Sequence, residues 1–153
     1  MSAETVPASH RGLTPYICCA NAASAIEFYQ RAFGAEEMMR LTEPSGRIGH
    51  AELKIAGAPL MLSDEYPDYG VRSPKAFGGT PMSLHLYVDN VDAVFAQAVA
   101  AGAKVLRGLE DQFYGDRSGT LLDPFGHRWT LATHKEEVAP EEMQRRWDAM
   151  LKK

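Results

Sequence analysis

One pattern of residues occurs twice along the chain, and its first copy runs from a strand into a helix. The run Leu13–Cys19 is rich in strand-forming residues, and Asn21 after it is a favourable helix N-cap. Ala22–Phe33 carries apolar residues at helical spacing, and Gly34 stands where a helix C-cap glycine belongs. The pattern predicts a strand, a helix over 22–33 and a stop at residue 34.

The second copy repeats each of these features in the same order. Ser83–Val88 is the strand, Asp89 or Asn90 the N-cap, Val91–Ala101 the helix and Gly102 the stop. The caps and stops of the two copies are separated by nearly the same number of residues. Unrelated segments would not match at successive landmarks, so the chain is predicted to contain two copies of one structural unit.

The end of each copy also matches. Gly57–Leu62 corresponds to Gly126–Leu131, and a strand precedes each, at Ile48–Ala56 and Gly119–Asp123. The turn that starts at Asp123 has the composition of a tight hairpin. Each unit is therefore predicted to be one strand, one helix and three further strands. The predicted fold class is α+β, with two tandem βαβββ repeats that form curved mixed sheets.

The end of the chain is predicted to form an additional helix that begins at Pro140. Proline suits the first turn of a helix, and the acidic residues after it favour the helix dipole. Met143, Trp147, Met150 and Leu151 form an apolar stripe that must cover the sheet or a partner. The expected organisation is a flexible tail over 1–11, one domain over 12–134 and a helical tail over 135–153, with repeat one at 13–65 and repeat two at 82–132.

Composition excludes several classes of function. The 16 basic and 20 acidic residues give a net charge of −4, which provides no basic surface for nucleic acid or an anionic membrane. The apolar run Ala93–Ala103 is too short to span a bilayer, and Met1–Arg11 lacks the apolar stretch of a signal peptide. Cys18 and Cys19 are neighbours that would strain a mutual disulfide, so both are expected to be reduced in a cytoplasmic protein.

Five motifs in their order along the chain resemble the vicinal oxygen chelate superfamily, which includes glyoxalase and bleomycin-resistance proteins, and more narrowly its PhnB-like branch. The motifs are Leu13–Tyr16, Ala25–Tyr29, Leu60–Glu65, Gln112–Arg117 and Asp123–His127. The resemblance implies that each half curls into a cup, that paired halves enclose a ligand site and that the protein is a homodimer. It also implies either a divalent metal that chelates substrate oxygens, or drug binding in the cup without metal.

The residues at the positions where metal-using relatives carry ligands do not suit a metal. The resemblance assigns these positions to Thr14, Met61, Ser83 and Thr130. Zinc, nickel and iron take imidazole, carboxylate or thiolate ligands, and none of these four side chains provides one. No cofactor is therefore predicted at these positions, and glyoxalase I or dioxygenase chemistry is not expected.

Strand alternation predicts which side chains line the cup. Ala51, Leu53 and Ile55 should face the helix, which leaves His50 and Glu52 in the cup. The predicted lining is polar and aromatic: Tyr16, His50, Glu52, His85 and Tyr87. Three interpretations remain open for it. These are a displaced divalent metal site of His50, Glu52 and His85, a His–Glu pair that orients a ligand or acts as acid and base, and polar groups that satisfy one another.

Tyr114 and Arg117 complete the predicted ligand-binding set. Both are expected just before a central strand of the second half, where Arg117 could clamp an anionic ligand or pair structurally with Asp116 or a glutamate. His127 is expected to be a turn or dimer contact. No chemical role is expected for His10 or His134, which lie outside the repeats.

Two functions of different classes follow from these residues. The first is a metal-free protein that binds a small organic molecule in the cup. The second is an enzyme of the lyase or isomerase type that uses His85 with Glu52 or a displaced metal. The sequence does not identify the ligand, because specificity depends on a site added to a shared fold.

Overall fold

The computed structural model describes residues 2–152, and its first half is a four-stranded sheet with one helix. Because β1 pairs with β4 in parallel and the other neighbours are antiparallel, the strand order is β1-β4-β3-β2. The elements are β1 (Tyr16–Cys18), α1 (Ala22–Phe33), β2 (Glu36–Thr42), β3 (Ile48–Ile55) and β4 (Ala58–Ser63).

The second half has the same architecture. Its sheet has the order β5-β8-β7-β6, again with one parallel pair, between β5 and β8. A linker with the short helix α2 (Pro74–Phe77) joins the halves, and α4 (Pro140–Leu151) follows the second sheet. The remaining elements are β5 (Ser83–Tyr87), α3 (Val91–Ala101), β6 (Lys104–Asp111), β7 (Asp116–Leu122) and β8 (Arg128–His134). The two predicted βαβββ repeats are confirmed.

The helices of the two repeats, α1 and α3, begin and end where the sequence predicts. Asn21 Oδ1 accepts a hydrogen bond from Ser24 N at 3.1 Å, and Gly34 adopts a left-handed φ of 67° at the end of α1. In α3 the cap is Asn90, whose Oδ1 accepts from Ala93 N at 3.1 Å. The alternative cap at position 89 is therefore wrong, and the side-chain chemistry of both caps is the same.

A second cap comes from the last strand of each half. Asp64, just after β4, accepts a hydrogen bond from Ala22 N at 2.8 Å. In the other half Thr133 Oγ1 accepts from Val91 N at 2.9 Å. Each contact satisfies a free amide in the first turn of a helix and fixes that helix over its own sheet.

The helices cover one face of each sheet and leave the other face open. Along β3, Ala51, Leu53 and Ile55 are buried against the helices, whereas His50 and Glu52 are half-buried. We call the face that carries Tyr16, His50 and Glu52 the first open face. The second open face carries His85 and Tyr87, on the exposed positions of β5. These are the faces for which the sequence predicts a cup.

A buried carboxylate joins the two halves. Asp123, which is 3% exposed, accepts hydrogen bonds from the hydroxyl of Tyr29 in α1 at 2.6 Å and from Trp129 Nε1 at 2.9 Å. Its other oxygen accepts from the amides of Phe125 and His127, both at 2.9 Å. The side chain therefore shapes the β7–β8 turn and at the same time binds a helix of the first half.

The C-terminal helix is attached loosely. Within the described chain α4 contains no buried residue, and Trp147 meets Phe113 with ring centroids 5.5 Å apart. Arg146 donates to the carbonyl of Phe113 at 2.9 Å and pairs with Glu136. The predicted apolar stripe thus contacts the loop before β7 through Trp147, whereas Met150 and Leu151 stay exposed.

Between residues 2 and 152 there is no helix whose length and hydropathy would suffice to cross a membrane.

Replacement of Asp123 tests whether this carboxylate holds the halves together. Asp123→Ala leaves the buried donors of Tyr29 and Trp129, and two amides of the β7–β8 turn, without acceptors. We expect the free energy of unfolding to fall by about 3 kcal/mol or more, measured by urea denaturation. Asp89→Ala, at an exposed position, is the control and should change it by less than about 0.5 kcal/mol. Equal effects of the two substitutions would contradict the assignment.

Candidate functional site on the two open faces

Three polar side chains form a hydrogen-bonded chain on the first open face. The Tyr16 hydroxyl lies 2.9 Å from His50 Nδ1, and His50 Nε2 lies 3.1 Å from Glu52 Oε2. The register of the sheet explains this arrangement, because Met61 of β4 pairs with Tyr16 on one side and with Glu52 on the other. Residues 50 and 52 lie two apart on one strand and therefore share a face.

The carboxylate of Glu52 determines which group donates in each of these two hydrogen bonds. An ionised carboxylate only accepts, so His50 donates through Nε2 and is left to accept at Nδ1 from the Tyr16 hydroxyl. The hydrogen bond from His50 lowers the pKa of Glu52, and burial raises the pKa of Tyr16. Tyr16 is half exposed, so it is the member of this hydrogen-bonded row that a ligand can reach.

The N-terminal segment reaches the same cluster. A single 3-10 turn, Ala8–His10, places His10 Nε2 2.5 Å from Glu52 Oε1, in a contact that is poorly aligned for a hydrogen bond. Ser9 Oγ lies 2.7 Å from the other ring nitrogen of His10. The sequence assigns no role to His10, and no local pattern connects residue 10 with residue 52.

A cavity of about 440 Å³ opens beside Tyr16. Tyr66 is held at its wall by a hydrogen bond to Glu43 and by the Arg47 guanidinium, which lies 4.1 Å from the centre of the Tyr66 ring. The cavity is lined by Tyr16, Gly49, Ser63, Tyr66, Tyr69 and Val71. Three aromatic rings and few polar groups are a lining suited to a small organic molecule.

The second open face carries another cluster with a different order. Asp116, which is 3% exposed, accepts from the Tyr87 hydroxyl at 2.6 Å and lies 2.7 Å from His134 Nδ1. The hydrogen bond to Asp116 raises the pKa of Tyr87 to about 12, and the same carboxylate raises the pKa of His134. His85 lies beside the cluster, with its ring centroid 5.0 Å from that of Tyr87.

The structure differs from the sequence-based expectation at Arg117. Strand β7 begins at Asp116, three residues before the predicted Gly119, so Asp116 and Arg117 point to opposite faces. Arg117 lies on the helix side, where it contacts Asp92 at 3.1 Å and Asp111 at 3.3 Å. Of the two roles predicted for Arg117, the structure shows the structural ion pair and not a clamp for an anionic ligand. The partners of Arg117 are Asp92 and Asp111 rather than Asp116. Arg117 is not placed at the mouth of an open face.

Tyr114 and His85 also stay apart from the first cluster. Tyr114 packs edge-on against Phe113, with ring centroids 5.1 Å apart, in the turn before β7. His85 lies in the second sheet, opposite Thr130, and has no hydrogen bond to His50 or Glu52. The displaced metal site of His50, Glu52 and His85 is therefore not assembled.

The positions that the resemblance assigns to metal ligands are equivalent in the two halves. Met61 lies opposite Tyr16 in one sheet, and Thr130 lies opposite His85 in the other. Thr14 precedes β1, whereas Ser83 begins β5. The donor set of these four side chains does not fit zinc, nickel or iron, which take imidazole, carboxylate or thiolate ligands. Across residues 2–152, no group of three or more histidine, cysteine, aspartate or glutamate side chains is arranged to hold a metal ion.

Sequence reasoning missed the Asp116–His134 pair. The sequence pattern predicts a loop at Asp116 and a second repeat that ends at residue 132, which leaves His134 outside the repeat. The last strand extends to His134, and Asp116 pairs directly with His134 across β7 and β8. One signal in the sequence could have found His134. Side chains alternate between the two faces of a strand, so residues 130, 132 and 134 share the open face if the strand continues to residue 134.

Comparison with known proteins identifies the family. Residues 12–131 match the glyoxalase/bleomycin resistance protein/dioxygenase superfamily, and the chain belongs to it. Mb0911c of Mycobacterium bovis is 47% identical over 135 residues, which cover 86% of this chain and 89% of that protein.

Solved structures agree with this assignment. TioX from Micromonospora is similar with a TM-score of 0.65 and 28% identity, over 80% of this chain and 97% of that chain. The PhnB protein from Bacillus cereus is similar with a TM-score of 0.63 and 22% identity, over 80% of this chain and 99% of that chain. At this identity the second likeness concerns the fold alone.

Titration of His134 tests the pair with Asp116. A raised pKa means that the pair stabilises the fold fully below the unfolded value of about 6.5 and loses this effect as the pH rises through the folded value. We expect an NMR titration midpoint for the His134 ring above 6.5 in the native protein and a clear fall in Asp116→Asn. Glu137→Gln, which removes the exposed second partner, should change the midpoint less. An unchanged midpoint in Asp116→Asn would rule out the assigned cause.

Proposed function

We propose that the protein binds a small organic molecule on its open faces, without a metal at the positions that related enzymes use. The observation that carries this proposal is the Tyr16–His50–Glu52 chain at an aromatic cavity of about 440 Å³. Tyr16 belongs to both, so one hydroxyl offers a polar contact at the entrance to an apolar space. Small-molecule sites combine apolar walls and a few oriented polar groups in this way.

The roles within this site follow from the geometry. Tyr16 contacts the polar part of the ligand, and His50 and Glu52 fix the orientation of the Tyr16 hydroxyl from behind. Tyr66 and Tyr69 provide the aromatic walls. His85, Tyr87 and Tyr114 belong to the second half, where they form a separate part of the proposed binding surface.

An acid–base enzyme of the lyase or isomerase type is the second candidate. The same hydrogen bonds favour it, because Tyr16 can receive a proton from a substrate while its own proton passes to His50 Nδ1. Glu52 then stabilises the imidazolium that forms. The acid–base pair is then Tyr16 and His50. It is not His85 with Glu52, because those two side chains lie in different sheets.

We also propose that two copies of the chain form a homodimer in the cytoplasm. Each sheet ends in two unpaired edge strands, and β2 and β6 are exposed over most of their length. Exposed apolar side chains on them, such as Met38 and Leu106, would be covered by a second copy. The free thiols of Cys18 and Cys19 suit a reducing compartment.

Ligand binding is tested by substitution at His50. A panel of small aromatic acids, alcohols and amines is screened against the native protein by ligand-observed NMR, and the affinity of each hit is measured. We expect His50→Ala to weaken binding at least about tenfold, because Tyr16 loses its acceptor and its fixed orientation. His134→Ala, which removes a histidine from the other sheet, is the matched control and should leave affinity nearly unchanged. Equal affinities in both variants would overturn the assignment of the first site.

The homodimer is tested by light scattering coupled to size exclusion at micromolar concentration. We expect the mass of two chains. Leu106→Glu, on the exposed edge strand β6, should shift the mass toward one chain if β6 lies in the interface. A native protein with the mass of a single chain would contradict the proposal.

A further inference from the structure

A second cavity, separate from the Tyr16–His50–Glu52 site, lies between the linker and the second sheet. Its volume is about 630 Å³. The floor comes from the start of β6, the end of β7 and the start of β8, and the linker around α2 forms the opposite wall. This is the end of the second open face that is farthest along the strands from Asp116 and His134.

Three cationic side chains line this cavity. Lys104 and Arg128 each pair with Leu122, one on either side, so the register places both on the same face of the sheet. Lys75 joins them from α2. Among residues 2–152 none of the three makes an ion pair with a carboxylate.

The one acidic residue in the lining does not compensate these charges. Asp123 is buried, and its oxygens accept hydrogen bonds from Tyr29, Trp129 and the amides of Phe125 and His127. The chain as a whole has a net charge of −4. A cavity with three unpaired cations is therefore a local exception to the overall charge of the protein, and it attracts anions.

The wall opposite the floor is held in a fixed position. Ser73, which is 1% exposed, donates to Glu65 through its amide and its hydroxyl, both at 3.0 Å. Gly126 approaches Pro74 so closely that an added Cβ would lie 3.0 Å from the proline Cβ. These contacts keep Lys75 next to the β7–β8 turn, and so the charged groups do not depend on a free loop.

We infer that this cavity binds a small organic anion, with a phosphate or carboxylate head held by Lys75, Lys104 and Arg128. Arginine can bind such a head through two parallel hydrogen bonds, and the lysines add point charges. Pro74, Leu122 and Pro124 provide apolar contacts for the rest of the molecule. The second sheet thus carries a site for organic anions that shares no lining residue with the cavity at Tyr16.

Phenyl phosphate is a probe with both an anionic head and an apolar ring. Calorimetric titration into the full-length native protein at low salt should show saturable binding with one site per chain, weakened by added sodium chloride. Phenol, which has the ring without the charge, should bind at least about tenfold more weakly. Equal binding of phenol would show that the cations do not recognise the ligand, and absence of saturable binding would overturn the site.

Matched variants locate the binding. Arg128→Gln and Lys104→Gln should each weaken phenyl phosphate binding about fivefold, since both side chains are exposed and can be shortened without unfolding the chain. Arg31→Gln removes the same charge from α1, away from the cavity, and should change affinity less than about twofold. Equal losses of affinity in Arg31→Gln and Arg128→Gln would show that phenyl phosphate responds only to the net charge of the protein, and would overturn the inference. His50→Ala should leave phenyl phosphate binding unchanged, so the two sites can fail separately.

Discussion

The packing of the two halves depends on the buried carboxylate of Asp123. An ionised group away from water is stable only when its oxygens are fully occupied, and here a tyrosine, a tryptophan and two backbone amides occupy them. The donors come from both halves, so the carboxylate is satisfied only when α1 is docked against the second sheet. The same carboxylate fixes the β7–β8 turn, in which Gly126 packs closely against Pro74 at the start of α2.

The two halves share a scaffold and differ in the chemistry of their open faces. Strand order, helix caps and the contacts from Asp64 and Thr133 are repeated. In the first half a histidine stands between a tyrosine and a carboxylate, which gives a path for a proton. In the second half the carboxylate of Asp116 stands in the middle, and it binds both the tyrosine and the histidine.

The sequence predicts the scaffold well because its signals are local. Asn21 and Gly34 mark the ends of α1, and alternation along β3 places His50 and Glu52 together on the open face. The orientation of Arg117 could not be predicted, because it depends on where β7 begins. The pairing of β6 with β7 is interrupted by register shifts, which no spacing in the sequence reveals.

The parallel pairing of the first and last strands of each half has a consequence for folding. Tyr16 pairs with Met61, and Ser83 pairs with Arg128, so neither sheet is complete until nearly the whole half has been synthesised. Contacts between distant residues slow folding, because the chain must close a long loop before they form. Strand β1 therefore lacks its hydrogen-bonding partner until β4 has been synthesised, and the growing chain is open to aggregation in that interval.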